Sequence, residues 1–283
     1  TRLRCDWSSD VCSSDLGIGM ELIRSVWRFR HFILRKTRND IRAQFSRSGI
    51  GYLWLILTPA ALIATYIFIF SSIMKAKLPG IDDTLSYGVY LSAGIVFWTS
   101  FSNTLSRLTQ VFIAEKALLR EFYVPSSILP ICVLAAETFQ LILFLGVFLL
   151  FLVVVQGLPG LEVLYLFPVL AVQYAFVLGV GLIFGILNTF MRDFGHALAI
   201  VLHFWFWLTP IVYPIEILPE WARLVIVRFN PMTPLIEGYH AIFVYRVAPD
   251  LWSLLPTAIL AVILLAVGLW IFRRTSGALG DLA

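Results

Sequence analysis

Charge is scarce in this sequence. Only 13% of its 283 residues are charged, whereas 60% are hydrophobic and the mean hydropathy is +0.89. An average soluble domain is about 45–50% apolar, so the composition excludes an ordinary soluble protein. We expect a single polytopic membrane domain.

Cysteine is nearly absent, which excludes a disulfide framework or a thiolate metal cluster. Two of the three cysteines, Cys5 and Cys12, lie in TRLRCDWSSDVCSSDL at residues 1–16. This stretch lacks the apolar core of a signal peptide, and it resembles translated sequencing-adapter sequence. We expect residues 1–19 to be a non-native tail and Met20 to be the start, with a disordered polar tail as the alternative.

Catalytic and nucleotide-binding motifs are also missing. The sequence has no G-x-x-x-x-G-K-[ST] loop, no G-x-S-x-G turn and no metal-ligand spacing among its four histidines. We therefore assign no catalytic residue, metal ligand or cofactor to this chain and expect no nucleic-acid partner. Glu137 is the carboxylate left within the apolar runs; it either bonds to a neighbouring helix or serves a proton relay, which normally needs several such groups.

Six apolar runs are each long enough to cross a hydrocarbon core of ~30 Å. They lie at about 50–74, 87–106, 128–155, 163–190, 197–215 and 251–272. An even number of spans puts both termini on one side, and lysine and arginine decide which side. From residue 20 onward, fourteen of these residues lie in the segments on the side of the termini and five in the opposite loops. We expect a multi-pass transmembrane domain at 50–272, with both termini, the 107–127 loop and the 273–283 tail in the cytoplasm.

Residues 20–49 have the pattern of an amphipathic helix. Basic residues recur every three or four positions, which makes one stripe on an α-helix: Arg24, Arg28, His31, Arg35, Arg38 and Arg42. Leu22, Val26, Phe29 and Ile33 fall on nearly the opposite face. The pattern predicts an interfacial helix with its apolar side in lipid and its basic side toward anionic headgroups. A solvated basic tail is the alternative.

Proline interrupts the segment 213–250 five times. The apolar pieces between the prolines are 7–12 residues long, too short to span a membrane. They predict short periplasmic re-entrant helices before the last span. Since irregular backbone at membrane depth must be covered by protein or face a water-filled cavity, we expect this region to cap or line a pathway.

The turn between the fourth and fifth runs, NTFMRDFGH, contains Asn188, Arg192 and Asp193. An ion pair between Arg192 and Asp193, with Asn188 capping free backbone groups, can close a tight turn. Alternatively, Gly195 loosens the same turn, which would make it a cytoplasmic joint between two helices.

Aromatic residues cluster in and just after two of the apolar runs, at Phe97, Trp98, Phe101, Trp205 and Tyr213. Their ordinary role is helix packing or the interfacial belt. However, serines and Asn103 beside residues 97–101 make a mixed aromatic and hydroxyl face that suits a sugar chain. These five residues are therefore candidates for lining a channel.

Six motifs, in this order, resemble the ABC-2 type permeases that export lipid-linked polysaccharides such as O-antigen, capsule and teichoic acid. They are RNDIRAQFSRSGIGYLWLILTP (38–59), GIVFWTSFSNTLSR (94–107), EKALLREFYVPSSILP (115–130), LNTFMRDFGHAL (187–198), LTPIVYPIEILPE (208–220) and NPMTPLIEGYHAIF (230–243). The resemblance implies a six-helix half-transporter that forms a homodimer, with ATP and Mg²⁺ bound by two copies of a separate P-loop ATPase subunit. It also implies a cytoplasmic coupling helix seated in that ATPase, formed by Glu115, Lys116, Leu118, Leu119, Arg120, Glu121, Phe122 and Tyr123.

We therefore expect an all-α permease of the bacterial inner membrane that has no catalytic site of its own and moves an undecaprenyl-diphosphate-linked glycan outward. An ABC-2 permease for drugs or simple lipids would share this fold and partner. An ATP-independent flippase or a membrane-embedded enzyme is a further alternative, and co-purification with an ATPase would separate it from the other two.

Overall fold

The computed structural model describes residues 27–45, 49–74, 84–116, 126–191 and 193–282, and every regular element in these ranges is helical. The expected all-α class is therefore confirmed for this part of the chain. The α-helices are α1 (Arg30–Phe45), α2 (Trp54–Ile67), α3 (Thr84–Ala114), α4 (Ile128–Gln156), α5 (Leu166–Phe190), α6 (Asp193–Leu208), α7 (Glu220–Phe229), α8 (Thr233–His240) and α9 (Leu251–Leu282).

Short irregular turns extend several of these helices. A 3₁₀ turn precedes α2 at Gly51–Leu53, another precedes α5 at Leu161–Tyr165, and a third lies at Ile215–Ile217. π-helical turns follow α2 at Phe68–Ile73 and α8 at Ala241–Tyr245. The second π turn ends at Arg246, whose positive φ of 55° is uncommon for a residue with a side chain. The Arg246 guanidinium holds this bend by donating to the carbonyl oxygens of Gln156 and Gly157, at 2.7 and 2.9 Å.

Three helical stretches of the described chain are long and apolar enough to cross a membrane. They are Ile128–Gln156, Leu161–Phe190 and Leu251–Thr275. The helical stretches Trp54–Phe70 and Asp193–Leu208 are apolar but shorter. Length and composition thus identify a membrane protein and three of the six expected spans.

Helix α3 is long but carries many hydroxyl side chains, and it lies at the centre of the bundle. Its residues Val89, Leu91, Phe97 and Leu105 are fully buried. The hydroxyls of Ser92, Thr104 and Thr109 donate to carbonyl oxygens one turn earlier, at 2.7–2.9 Å. Such internal bonds satisfy polar groups in an apolar setting, which explains how a helix of lower hydropathy is buried among the others.

Helix α5 packs closely against α9 because glycines face each other at the contact. A Cβ built on Gly179 would lie 2.5 Å from the backbone nitrogen of Leu265, and one built on Gly268 would lie 2.9 Å from the carbonyl oxygen of Gly179. Small residues let membrane helices approach until their backbones touch. This contact therefore has no room for a side chain.

The proline-rich segment forms the short helices that its sequence predicts. Pro219 directly precedes α7, and Pro234 lies in the first turn of α8, where its missing N–H costs nothing. Helix α8 is buried, with Leu235, Ile236 and Tyr239 at 0% exposure. Helix α7 is exposed along most of its length. The position of these helices relative to the membrane stays a prediction.

Candidate functional site

Five charged side chains of α1, α3 and α4 are connected by close contacts, and we call them the ion-pair network. The Nζ of Lys36 lies 2.8 Å from Oδ1 of Asp40 and 2.6 Å from Oε1 of Glu115. Arg107 lies 3.8 Å from the other oxygen of Asp40 and 2.7 Å from Oε1 of Glu137. The network therefore connects the surface helix α1 to the end of α3 and to the interior of α4.

Local geometry explains how these residues meet. Lys36 and Asp40 are one helical turn apart on α1, so their side chains lie on the same face. Arg107 lies two turns before the end of α3, Glu115 directly follows α3, and Glu137 lies between two and three turns into α4. The Glu137 side chain is only 2% exposed. A buried carboxylate needs a partner, and the guanidinium of Arg107 is that partner. This contact agrees with the alternative from the sequence in which Glu137 bonds to a neighbouring helix.

The environment of Lys36 keeps its ammonium charged. Burial lowers the pKa of Lys36. Hydrogen bonds to Asp40 and Glu115 and the negative charges of both carboxylates together raise it by more than burial lowers it, so the net shift is upward. The Lys36 side chain is 16% exposed and that of Glu115 is 26% exposed. Because the pair is partly shielded from water and salt, it is stronger than a typical surface ion pair.

A cavity of about 230 Å³ lies beside the network, between α1, α3 and α4. Gln110, Ala114, Leu129 and Cys132 complete its walls. The cavity leaves space between the surface helix and the two longer helices, so their contact depends on the charged pairs at its rim as well as on apolar packing.

The basic stripe of α1 is exposed, whereas the opposite side is not free for lipid. Arg28, His31, Arg35, Arg38 and Arg42 are all exposed, and Arg24 lies outside the described residues. Ile33 is 7% exposed and belongs to a cluster with Ile128 and Cys132 of α4, against which Phe29 packs. The expectation of lipid contact is therefore wrong for Ile33, which is buried against the start of α4, whereas Phe29 packs against the same cluster and is partly exposed.

The expected coupling helix is described only where it begins. Glu115 and Lys116 continue from the end of α3, and Glu115 bonds to Lys36. The other expected members lie outside the described residues: Leu118, Leu119, Arg120, Glu121, Phe122 and Tyr123. The pairing of Glu115 with a residue 79 positions earlier has no signal in local periodicity, and sequence reasoning missed Lys36, Asp40 and Arg107.

Asn188 closes the turn between α5 and α6. Its Oδ1 accepts a hydrogen bond from the backbone N–H of Gly195 at 2.9 Å, which caps the first turn of α6. Its Nδ2 donates to the carbonyl oxygen of Thr109 in α3 at 3.0 Å. Asp193 is the first residue of α6, and Arg192 lies outside the described residues. The turn is thus tied to α3, and its role as a conformational joint stays a prediction.

Three of the candidate channel residues, Trp98, Phe101 and Trp205, form a packed aromatic cluster, and Phe97 belongs to the same buried core. Phe97 and Phe101 are 0% exposed and Trp98 is 6% exposed. The ring of Trp205 stands edge-on to those of Trp98 and Phe101, with centroids 6.0 and 5.4 Å apart. The hydroxyl of Tyr213 donates to the carbonyl oxygen of Trp207 at 2.9 Å. Other side chains of the same chain cover most of these rings, so channel lining stays a prediction for them.

A buried polar pair next to this cluster also went unnoticed in the sequence. Gln173 is 1% exposed, accepts from the Tyr239 hydroxyl at 2.7 Å and donates to the carbonyl oxygen of Phe97 at 3.3 Å. The Tyr239 ring stacks on Phe97 with centroids 3.6 Å apart. A lone glutamine in an apolar run was the available signal. These contacts fasten α8 to α3 and α5.

No metal site accompanies the ion-pair network in the described ranges. There, no group of three or more His, Cys, Asp or Glu side chains comes close enough to hold a metal ion. The chemistry available at the network is therefore ionic contact between helices.

Comparison with known proteins identifies relatives along most of the chain. An O-antigen export system permease protein, RfbA, from Myxococcus xanthus is 27% identical over 256 residues, covering 90% of this chain and 96% of the relative. An RfbA from Klebsiella pneumoniae is 29% identical over 240 residues, covering 84% and 89%. The polysialic acid transport protein KpsM of Escherichia coli is 24% identical over 247 residues, covering 85% and 92%.

The family profile described as ABC-2 type transporter matches residues 33–244. That match includes the ion-pair network, the Asn188 turn, the aromatic cluster and the short helices α7 and α8. With its long apolar helices and these relatives, this chain belongs to the ABC-2 type transporter family.

Proposed function

We propose that this chain is the membrane permease subunit of an ABC exporter that moves undecaprenyl-diphosphate-linked polysaccharide outward across the inner membrane. ATP hydrolysis on a separate P-loop ATPase subunit drives the movement, and ATP and Mg²⁺ bind to that subunit. The names of the relatives, O-antigen export system permease and polysialic acid transport protein, support a glycan substrate. The observation that carries the proposal is the ion-pair network at the entrance of the 115–123 segment.

The proposed topology has six spans with both termini in the cytoplasm. The excess of Lys and Arg in segments 20–49 and 107–127 supports this orientation. In it, the network lies on the cytoplasmic side, and α7 and α8 lie on the periplasmic side. The exposed arginines of α1 then face the cytoplasm and anionic headgroups.

The network transmits movement of the ATPase to the helices of the permease. A push on the 115–123 segment reaches α1 through the contact between Glu115 and Lys36, and reaches α4 through Asp40, Arg107 and Glu137. ATP binding closes the ATPase dimer and moves one such segment in each of two permease protomers. Nucleotide shifts this equilibrium only because the two conformations bind the partner with different affinity.

The glycan passes between the two protomers of a homodimer in this proposal. The side chains of Phe97, Trp98, Phe101, Trp205 and Tyr213 offer rings on which the C–H faces of sugars can stack. Because the rings of Trp98 and Phe101 on α3 pack against that of Trp205 on α6, opening the path requires α6 to move relative to α3. The Asn188 turn, from which α6 begins, is the joint about which it moves.

Co-expression with the ATPase encoded nearest to this gene tests the proposal. We expect the two proteins to co-purify, and the double charge reversal Glu115→Lys and Arg120→Glu to uncouple ATP turnover from glycan export while the permease still inserts. The control is Glu216→Lys, a charge reversal at an exposed residue that lies on the periplasmic side in the proposed topology. Normal glycan export by the double variant would contradict the coupling role, and export of a drug in place of a glycan would reassign the substrate.

A further inference from the structure

We propose that the groove between α7 and the first turns of α9 binds the phosphate headgroup of an anionic phospholipid. The groove has a volume of about 990 Å³, at the upper end of the ~300–1,000 Å³ range of small-molecule sites. In the topology proposed above, this lipid belongs to the periplasmic leaflet. The site itself is independent of what the protein transports.

The groove combines exposed positive charge with apolar walls. Arg223 and Arg228 line it from α7, and Glu220 is its acidic member. Both arginines are exposed, and neither takes part in the ion pairs seen among the described residues. A guanidinium presents a planar set of donors that matches a phosphate. The two arginines therefore favour a phosphate group.

The other hydrogen-bond donors among the groove side chains are already occupied, so the arginines are the donors left for a ligand. The Thr257 hydroxyl donates to the carbonyl oxygen of Pro231 at 3.2 Å, and the Ser253 hydroxyl donates to the backbone carbonyl oxygen of Asp250 at 2.7 Å. The Asn230 amide bonds to Trp205 and Thr209. A sugar would find few hydrogen-bonding groups here.

Apolar surface continues from the arginines down the outside of α9, which favours a ligand with hydrocarbon chains. Leu224 and Phe229 on α7 are 65% and 77% exposed. Below them on α9, Leu260 of the groove wall is 37% exposed, and Ile263 and Val267, which follow it at helical spacing, are 53% and 41% exposed, on the stretch long enough to cross a membrane. Burial of hydrocarbon against such a surface is favourable.

Two exposed tryptophans place the arginines at headgroup depth. Trp221, in the first turn of α7, is 73% exposed, and Trp252, in the first turn of α9, is 81% exposed. Tryptophan is enriched where the membrane meets water. A phosphate at Arg223 and Arg228 would thus lie at the level of lipid headgroups, with its acyl chains along α9.

Photo-crosslinking in nanodiscs tests the site on the full chain. We expect photoactivatable phosphatidylglycerol to label peptides from 220–234 and 251–260, and photoactivatable phosphatidylcholine to label them much less. Arg223→Gln with Arg228→Gln should reduce the phosphatidylglycerol label there at least about tenfold, because two charge-assisted contacts are lost. Since both arginines are exposed, the variant should keep its thermal midpoint at pH 5, where Glu237 is protonated and does not depend on the positive charge of Arg223.

A paired variant on the other side of the protein serves as the control. Arg28→Gln with Arg35→Gln should leave the label on the groove peptides unchanged. Equal labelling by phosphatidylcholine, or undiminished labelling of the Arg223 and Arg228 variant, would overturn the proposal. Displacement of the label by undecaprenyl diphosphate at a mole fraction where phosphatidylglycerol does not compete would also overturn it, by assigning the groove to a diphosphate carrier lipid.

Discussion

The ammonium of Lys36 lies 2.6 Å from a carboxylate oxygen of Glu115, and this contact joins helix α1 to the residue that follows α3. Lys36 also holds Asp40, and Asp40 lies 3.8 Å from Arg107, the partner of the buried Glu137. A displacement of the segment that follows Glu115 would disturb ion pairs formed by residues of α1 and α4. This arrangement makes Lys36 the most informative position for testing how movement spreads through the chain.

Reversal of charge at either end of this contact should impair transport, and reversal at both ends should restore it. Lys36→Glu or Glu115→Lys alone places like charges 2.6 Å apart, and we expect glycan export per ATP hydrolysed to fall at least about fivefold, the low end of typical coupling energies. All variants carry Asp40→Asn, because a carboxylate at position 36 would otherwise lie beside Asp40, and the double variant then re-forms the pair with its charges exchanged. Export and ATPase activity are measured in the same vesicles, and failure of the double variant to recover would show that charge complementarity is not what matters.

Removal of the Asn188 side chain should loosen the turn between α5 and α6. Asn188→Ala deletes the cap on Gly195 and the bond to Thr109, and we expect the free energy of unfolding to fall by about 1–2 kcal/mol. Asn39→Ala, at an exposed position of α1, is the matched control. Thermal unfolding in detergent provides the measurement, and equal midpoints for the two variants would contradict the capping role.

A single methyl group at Gly179 should disturb the contact between α5 and α9. The new Cβ would meet backbone atoms of Leu264 and Leu265 at 2.5–2.7 Å, and backbone cannot move aside as a flexible side chain can. We expect Gly179→Ala to destabilise by about 1–3 kcal/mol. In contrast, Gly146→Ala in α4 meets nothing within 4 Å and should be neutral or stabilising by up to about 1 kcal/mol. Thermal midpoints that fall equally in both variants would contradict the close contact.

Glu237 should make stability depend on pH. Burial, with the negative charge of Glu216 adding to it and Arg223 partly offsetting it, raises the pKa of Glu237 from 4.5 to about 7. Such a carboxyl stabilises the fold fully below pH 4.5, and this contribution is lost as the pH rises through 7. We expect a loss of about 2–3 kcal/mol from this group between pH 4.5 and 8.

The variant Glu237→Gln isolates this contribution, because an amide does not titrate. It should flatten the pH dependence and be more stable than the parent chain at pH 8. Glu220→Gln, at an exposed position of α7, controls for the substitution itself. Thermal midpoints measured at several pH values give the comparison, and an unchanged slope in Glu237→Gln would contradict the assignment.

Local patterns in the sequence predicted the elements that depend on neighbouring residues. The apolar runs predicted helices α4, α5 and α9, and the prolines predicted the breaks around α7 and α8. Asn188 was also predictable as a cap, because its partner Gly195 is only seven positions away. The interior position of Phe97, Trp98 and Phe101 was not, because aromatic rings suit a packed core, an interface and a sugar path equally well.

The sequence by itself determined that this is a helical membrane protein with its basic residues concentrated in a few segments and no nucleotide-binding loop motif, because hydropathy, charge and motifs are properties of consecutive residues. Only the tertiary structure decided that Phe29 and Ile33 face α4, that Lys36 meets Glu115, and that Arg223 and Arg228 share a groove with α9. The physical reason is that a helical pattern shows which side chains share a face, whereas the partner of that face is chosen by how distant helices pack.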